Sequence, residues 1–399
     1  MRKLTSARAS LSTGILTAGL LCAACGSEAS GAGSSFGGAA GLSGLSGAAG
    51  SSSASGGAGM PNSSGAGGSA PNSGAAGGGG VPIIAGAGGT SAGGAGTSGG
   101  AGSAGAAGGV VTGKTEYAPY YELYSDTGAF KSLVDLQQKA GLNDVTLAFV
   151  LKGNGCSTDN TISDNLDDIK AFIAAGGHVK ASFGGAAGSY VETGCADATA
   201  LAGAIGKFVD DTGITDLDFD IEQDGPLATN MNVRRGQALK MLQDSKHIQV
   251  SFTLAVNDDG IPKAPLNCLT SALDAGVKVS HVNIMVMDYG DMPDNTPMAP
   301  IAIGSLNASH AQLKKAIPAL TDEQAWAMLG ATPDIGQNDD AEIFTLADAQ
   351  ALTDFAIAHK LGLITFWNIQ RDQTCGKGEC SEHNQANFDY HRIFEKVLK

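Results

Sequence analysis

The residues best placed to do chemistry stand together in Asp216-Leu217-Asp218-Phe219-Asp220-Ile221-Glu222, where four acids alternate with three apolar residues. Period-2 alternation is the pattern of a β-strand, so the four carboxyl groups point to one face and Leu217, Phe219 and Ile221 to the other. Like charges crowded on one face repel and raise one another's pKa, a cost that makes sense when the groups act on something. Carboxyl groups whose pKa values are pushed apart are the equipment of general acid–base catalysis. Two blander readings compete. Asp220-Ile221-Glu222-Gln223-Asp224-Gly225 opens like a calcium-binding EF-hand loop, but the twelfth position, which must be acidic, is Met231, and a helix should precede such a loop. An exposed edge strand also displays charge, yet here the apolar partners alternate without a break.

A strand of this kind needs a scaffold, and only part of the 399-residue chain can supply one. Arg2, Lys3 and Arg8, the apolar run Ile15–Leu21 and the small pair Ala23-Ala24 make residues 1–24 an export signal. The apolar run is too short for a membrane anchor. The segment resembles a bacterial lipoprotein signal with Cys25 as the acceptor of a lipid anchor, although Leu21 sits four residues before Cys25 and Cys22 takes the usual leucine place. Lipidation and plain secretion both stay open, and either puts the protein outside the cell or on its outer surface. Residues 25–113 are nearly all Gly, Ala and Ser, with Glu28 the one charge. Such a stretch cannot bury enough apolar surface to offset its ordering entropy, so it is expected to be a disordered linker, with a root-mean-square span of about 50 Å.

The formal net charge is −15. So acidic a chain repels nucleic acid and anionic membrane, and it fits a monomeric soluble protein acting on a neutral polymer. An exported chain can form disulfides. Cys375 with Cys380 and Cys156 with Cys195 are the candidate pairs, leaving Cys268 buried and unpaired. No cysteine spacing suits structural zinc, and the seven histidines have no metal-ligand spacing. Neither metal nor cofactor is expected.

From Lys114 onward, short apolar runs alternate with helical patterns. Strand candidates are 117–122, 145–152, 178–183, 214–222, 248–256, 281–288, 325–332 and 363–369. Helical patterns lie between them, among them 164–175, 198–211, 233–244, 311–316, 346–359 and 384–397. Eight strands joined by helices over 114–399 is the α/β pattern of a closed (β/α)8 TIM barrel. An open doubly wound sheet is the alternative, but no glycine-rich phosphate fingerprint follows the first strand. In a barrel the acidic strand is the fourth, and Glu222 lies at its C-terminal end, where barrel enzymes keep their sites.

Asp218-Phe219-Asp220-Ile221-Glu222 resembles the D-x-D-x-E signature of glycoside hydrolase family 18, the chitinases and endo-β-N-acetylglucosaminidases. Ser182-Phe183-Gly184-Gly185 is similar to that family's S-x-G-G, and Met285-Val286-Met287-Asp288-Tyr289 and Phe366-Trp367 resemble its sixth- and eighth-strand motifs. The four matches fall on the expected strands, in order. The resemblance implies a retaining hydrolysis in which the substrate's own 2-acetamido oxygen is the nucleophile. Glu222 would be the general acid and then the base, Asp220 would orient the acetamido group, and Asp218 would hydrogen-bond Asp220 from below. Clustered carboxyl groups cannot all ionise, so Glu222 is expected to hold its proton to higher pH than a free glutamate.

The same resemblance implies that Trp367 floors the sugar subsite, with an ordinary core tryptophan as the alternative, and that Tyr120 and Gln337 bind the sugar. Gln337-Asn338 reads equally well as a turn. Where relatives have a sixth-strand tyrosine this chain has Met287, leaving Asp288 and Tyr289 as the nearest polar substitutes. Tyr289 shares the period-2 phase of Met285 and Met287, and Asp288 is out of phase unless the strand has already ended. The expected activity is hydrolysis of chitin or chito-oligosaccharides. Two alternatives are an endo-β-N-acetylglucosaminidase acting on glycoprotein glycans and a non-catalytic chitin-binding lectin.

Overall fold

In the computed structural model the described residues are 114–125, 128–290, 293, 296–376 and 379–399. The expected export segment 1–24, Cys25 and the linker to residue 113 lie outside them. The strands are β1 (Glu116–Tyr117), β2 (Tyr120–Glu122), β3 (Asp144–Val150), β4 (His178–Gly184), β5 (Asp216–Ile221), β6 (Gln249–Ala255), β7 (His281–Met285), β8 (Leu329–Thr332), β9 (Gly336–Gln337), β10 (Ile343–Phe344) and β11 (Leu363–Ile364). Nine of them form one parallel sheet in the order β1-β11-β8-β7-β6-β5-β4-β3-β2, and β9 and β10 make a separate antiparallel hairpin.

The two ends of the sheet are one strand. β1 pairs with β11 and β2 pairs with β3, and only Ala118 and Pro119 separate them. Pro119 has no N–H for the ladder, yet its carbonyl accepts the Thr146 N–H at 3.0 Å, while Ala118 and Tyr120 donate to Ile364 and Phe366. The chain thus passes from one neighbour to the other, and the sheet closes as an eight-stranded (β/α)8 barrel.

Alternation sorts the side chains. Leu217, Phe219 and Ile221, with Val250, Phe252, Leu254, Val282 and Ile284, are buried in the main apolar core between sheet and helices, where Phe183 stacks on Phe219 with ring centroids 5.1 Å apart. Ser182, Asp218, Ser251, Thr253 and Asn283 form a buried polar set inside the barrel. At its N-terminal end Lys180 is fully buried and pairs with Glu116 at 2.7 Å. Burial opposes its charge, but Asp216 and Glu116 more than offset that and hold it protonated.

All eight expected strands are present, with altered limits. The segment 325–332 is strand only from Leu329, because Thr321 and Gln324 form a reciprocal capping box that starts a helix at Asp322 and carries it to Met328. The last barrel strand is regular only at 363–364, beyond which Trp367 continues as a single bridge to Asp334. The helix expected over 384–397 starts at Asp389, where the Asp372 carboxylate accepts the Tyr390 and His391 N–H groups; residues 395–398 are a 3-10 turn. The helix expected at 311–316 runs from Met298. Both expected disulfides are formed, and Cys268 is buried and free. Among the described residues no helix is long and apolar enough to cross a membrane.

One glycine fixes how β4 meets β5. Gly184 has φ +116°, and a Cβ there would stand 2.0 Å from the Asp220 carbonyl oxygen. Gly184→Ala should therefore cost more than about 2 kcal/mol in urea unfolding. Gly203, exposed in the helix Ala198–Thr212 with open space around it, should gain up to about 1 kcal/mol as alanine. A neutral Gly184→Ala would show that the backbones are not held in this contact.

Candidate active site

The four acids of β5 meet four different environments as they climb the barrel wall. Asp216 lies near the base, 3.8 Å from His178 Nε2 and in the field of Lys180. Asp218, one layer up, accepts four hydroxyl hydrogen bonds: Ser251 at 2.7 Å on Oδ1, and Ser182 at 2.8 Å, Thr253 at 3.0 Å and Tyr120 at 3.3 Å on Oδ2. The register explains this, since Ser182, Asp218 and Ser251 are direct neighbours across β4, β5 and β6. Asp220 has no such ring of donors, and its Oδ1 is buried without a partner. Burial first, then the charges of Glu222 and Asp218, push its pKa well above the carboxylate range. Glu222, one residue past β5 and half-buried at the mouth, is pushed up to about 7 by burial and by Asp288 and Asp339.

The loop after β4 sets the height of Glu222. Gly184 and Gly185 both have positive φ, which lets the Gly185 N–H reach the Asp220 carbonyl at 3.0 Å. The Tyr190 hydroxyl donates to the Gly185 carbonyl at 2.8 Å and accepts the Glu222 N–H at 3.0 Å. Gln223 adds side-chain bonds to the Ala186 and Gly188 carbonyls. The Ser-Phe-Gly-Gly motif thus does two jobs, Ser182 bonding Asp218 and the glycines admitting the β5 backbone.

Opposite the acids lies an aromatic floor. Trp367 stacks on Phe149 at 5.5 Å between centroids with planes 11° apart, and Tyr120 tilts against both rings. These rings, Asp220, Glu222, Met287 and Asp288 line one cleft of ≈ 270 Å³ at the C-terminal ends of the strands. An apolar floor facing a polar wall suits a sugar ring, which has an apolar face and a hydroxyl rim. A larger groove of ≈ 560 Å³ on the outer surface is lined by the helices after β5 and β6, from Asp224 to Thr270, away from the β5 acids.

Of the residues the sequence singled out, Tyr120, Asp220, Glu222, Met287, Asp288 and Trp367 come together in the cleft, and Asp218 lies beneath it. Tyr289 does not join them. β7 ends at Met285, so the period-2 phase no longer applies, and Asp288 adopts φ +50°. Asp288 therefore lines the cleft, and the Tyr289 hydroxyl bonds Ser305 at 3.0 Å. Gln337 also stays out of the cleft. It stands on β9, and its side chain gathers the carbonyls of Asn338, Asp340 and Glu342.

Sequence reasoning missed Glu122, Phe149, Thr332, Asp334 and Asp339 on the cleft wall. Glu122 and Thr332 end barrel strands, a position that marks mouth residues, so a signal existed for them. Asp334 lies between β8 and β9 and Asp339 in the turn between β9 and β10, both in irregular chain with no periodicity to read. Asp334 pairs with Arg371, yet burial raises its pKa to about 7 against that pairing.

No protein-family model matches the chain. It is 32% identical over 277 residues to endochitinase 11 of Metarhizium anisopliae, across 65% of this chain and 53% of that protein. It is also 32% identical over 280 residues to the probable bifunctional chitinase/lysozyme of Escherichia coli K12, across 65% of this chain and 31% of that protein. The chain thus spans about half of the first relative's length and a third of the second's. The catalytic domain of a hyperthermophilic chitinase from Pyrococcus furiosus superposes with a TM-score of 0.65 at 32% identity, covering 71% of this chain and 95% of that one. A GH18 chitinase from Flavobacterium johnsoniae, at 14% identity and a TM-score of 0.51, shares the fold. With the acid strand, the glycine loop and the aromatic floor already in place, this similarity leads to one conclusion: the chain belongs to glycoside hydrolase family 18, with a chitinase-like catalytic domain.

Proposed function

We propose that the protein cleaves β-1,4 bonds between N-acetylglucosamine units by a retaining, substrate-assisted route. The observation that carries this reading is the pair at the top of β5: Glu222, held partly protonated near neutral pH, beside Asp220 with one buried, unpartnered oxygen. Glu222 gives its proton to the glycosidic oxygen as the bond to the anomeric carbon breaks. The acetamido oxygen of the sugar attacks that carbon from the opposite face and closes a cyclic, positively charged intermediate. Asp220 accepts the acetamido N–H on its free oxygen and so orients the group for attack. Glu222, now ionised, takes a proton from water, which opens the ring with retention at the anomeric carbon. Asp218 positions this machinery from below through its four hydroxyls, and Trp367 carries the sugar ring.

Supporting relatives include the Pyrococcus furiosus chitinase, a domain of which has been solved with chito-oligosaccharides. The two disulfides support a further proposal, that the protein works in an oxidising compartment outside the cytoplasm. Intact Asp218, Asp220 and Glu222 favour an enzyme over a lectin.

Three outcomes test the reading on chromogenic N-acetyl-chito-oligosaccharides. Glu222→Gln should lower kcat by about 10³-fold or more with little change in oligosaccharide binding. A wild-type protein that binds without cleaving would establish the lectin instead. The acid must be protonated to act, so kcat/KM should be sustained below the Glu222 pKa and fall as pH rises through about 7; a limb near the ordinary glutamate value would remove Glu222 from the acid role. Asp218→Asn keeps the shape but loses charge-assisted bonds to four hydroxyls, so urea unfolding should show a loss of about 1–3 kcal/mol, with kcat falling more than KM rises.

A further inference from the structure

We propose a divalent-cation site of the kind that takes Ca²⁺ on the rim of the cleft, held by Asp288, Asp340 and Glu342. One carboxylate oxygen from each lies within 4.8 Å of the others. Acids cluster on many surfaces without a ligand, so the weight falls on Glu342. Its side chain is 5% exposed, and both of its oxygens are buried with no hydrogen-bond partner. The neighbouring N–H groups of Tyr289 and of Glu342 itself do not complete a hydrogen bond to either oxygen. A buried carboxylate with two empty oxygens that faces two further carboxylates is costly as it stands. A cation among them removes that cost.

The protein supplies no such cation from its described residues. None of these three acids has a lysine, arginine or histidine partner there, and Arg371, which reaches the same hairpin, is committed to Asp334 and the Gln337 carbonyl. Asp339 adds a fourth acidic side chain on the same cleft rim as Asp288. The hydrogen bonds of Asp288, from the Asp339 N–H at 3.0 Å and the Asp340 N–H at 3.5 Å, both fall on Oδ1, so Oδ2 stays free for an ion.

The chemistry of the donors selects the metal. All three ligands are hard oxygens, with no histidine or cysteine to favour zinc or copper. Ca²⁺ holds oxygens at about 2.3–2.6 Å and tolerates irregular geometry, and three oxygens all within 4.8 Å of one another lie inside the reach of one such ion; Mg²⁺, at about 2.0–2.1 Å, demands a tighter octahedron and keeps more of its water. Asp288 stands on the loop after β7, and Asp340 and Glu342 stand in the β9–β10 hairpin. A bound ion would join the two loops that present Asp288 and Asp339 to the cleft.

The test uses the full chain dialysed against EDTA and titrated with CaCl₂, read by calorimetry and by thermal unfolding, with hydrolysis followed in the same samples. One site with Kd between about 10⁻⁵ and 10⁻³ M is expected, with Tm rising as Ca²⁺ is added. Asp340→Asn, at an exposed position, should weaken binding at least about tenfold, since losing even an outer-shell partner of a ligand costs that much. Glu342→Gln should abolish binding and raise the Tm of the calcium-free protein by relieving the buried charge. No heat and no Tm shift up to about 10 mM, beyond the weak end of such sites, would overturn the proposal. So would an unchanged Kd in both variants. Ion binding does not depend on the hydrolytic reading: a chain that binds Ca²⁺ but cleaves nothing leaves the site standing and removes only the activity.

Discussion

A carboxyl group inside a barrel must be paired, hydrogen-bonded or neutral, and the acid column of β5 depends on this constraint at every level. The low polarizability of the interior makes an unpaired charge far costlier there than in water. Asp216 answers with Lys180 close by. Asp218 answers with four hydroxyls drawn from β2, β4 and β6. Asp220 has neither, and burial pushes it towards the neutral form. Glu222 emerges at the mouth, still partly shielded from water. One alternating strand thereby yields four carboxyl groups in four different environments, and acid–base chemistry at one centre needs such differences.

The rest of the mouth is built to hold that column at a fixed height. Positive-φ glycines after β4 let two backbones approach where any side chain would collide, and the Tyr190 hydroxyl ties that loop to the Glu222 amide. Across the cleft, Pro119 lets the first strand change partners, which brings Tyr120 under Trp367 and within reach of Asp218 and Thr253. Barrel closure and the floor of the cleft are therefore the same piece of chain.

Residues outside the column tune it. Asp288 and Asp339 sit on separate loops, and their charges add to burial in holding the Glu222 proton. The hairpin that carries Asp339 is organised by Gln337, which draws three carbonyls inward and leaves the acids of the turn facing Asp288. A cleft framed by so many carboxyl groups has an acidic rim, a setting that repels anionic polymers.

Much of this was legible in the sequence, because the information was local. The alternation at 216–222 specifies a strand with one acidic face, and eight apolar runs separated by helical patterns specify the closed sheet. The positions of Asp218, Asp220 and Glu222 follow from strand order and strand ends, and the place of Trp367 from the family resemblance. What only the tertiary structure decided are the matters that rest on contacts between distant segments. Tyr289 and Asp288 compete for one place, and the choice depends on where β7 stops, which β8 and the loops settle together. The segment 325–332 has apolar residues that suit either element, and a cap four residues upstream makes half of it a helix. Asp334, Asp339 and Glu342 show no periodicity; their environment exists only once the hairpin folds back over the barrel mouth. Periodicity reports which face a residue occupies, whereas burial, charge and pKa depend on what the fold brings opposite it.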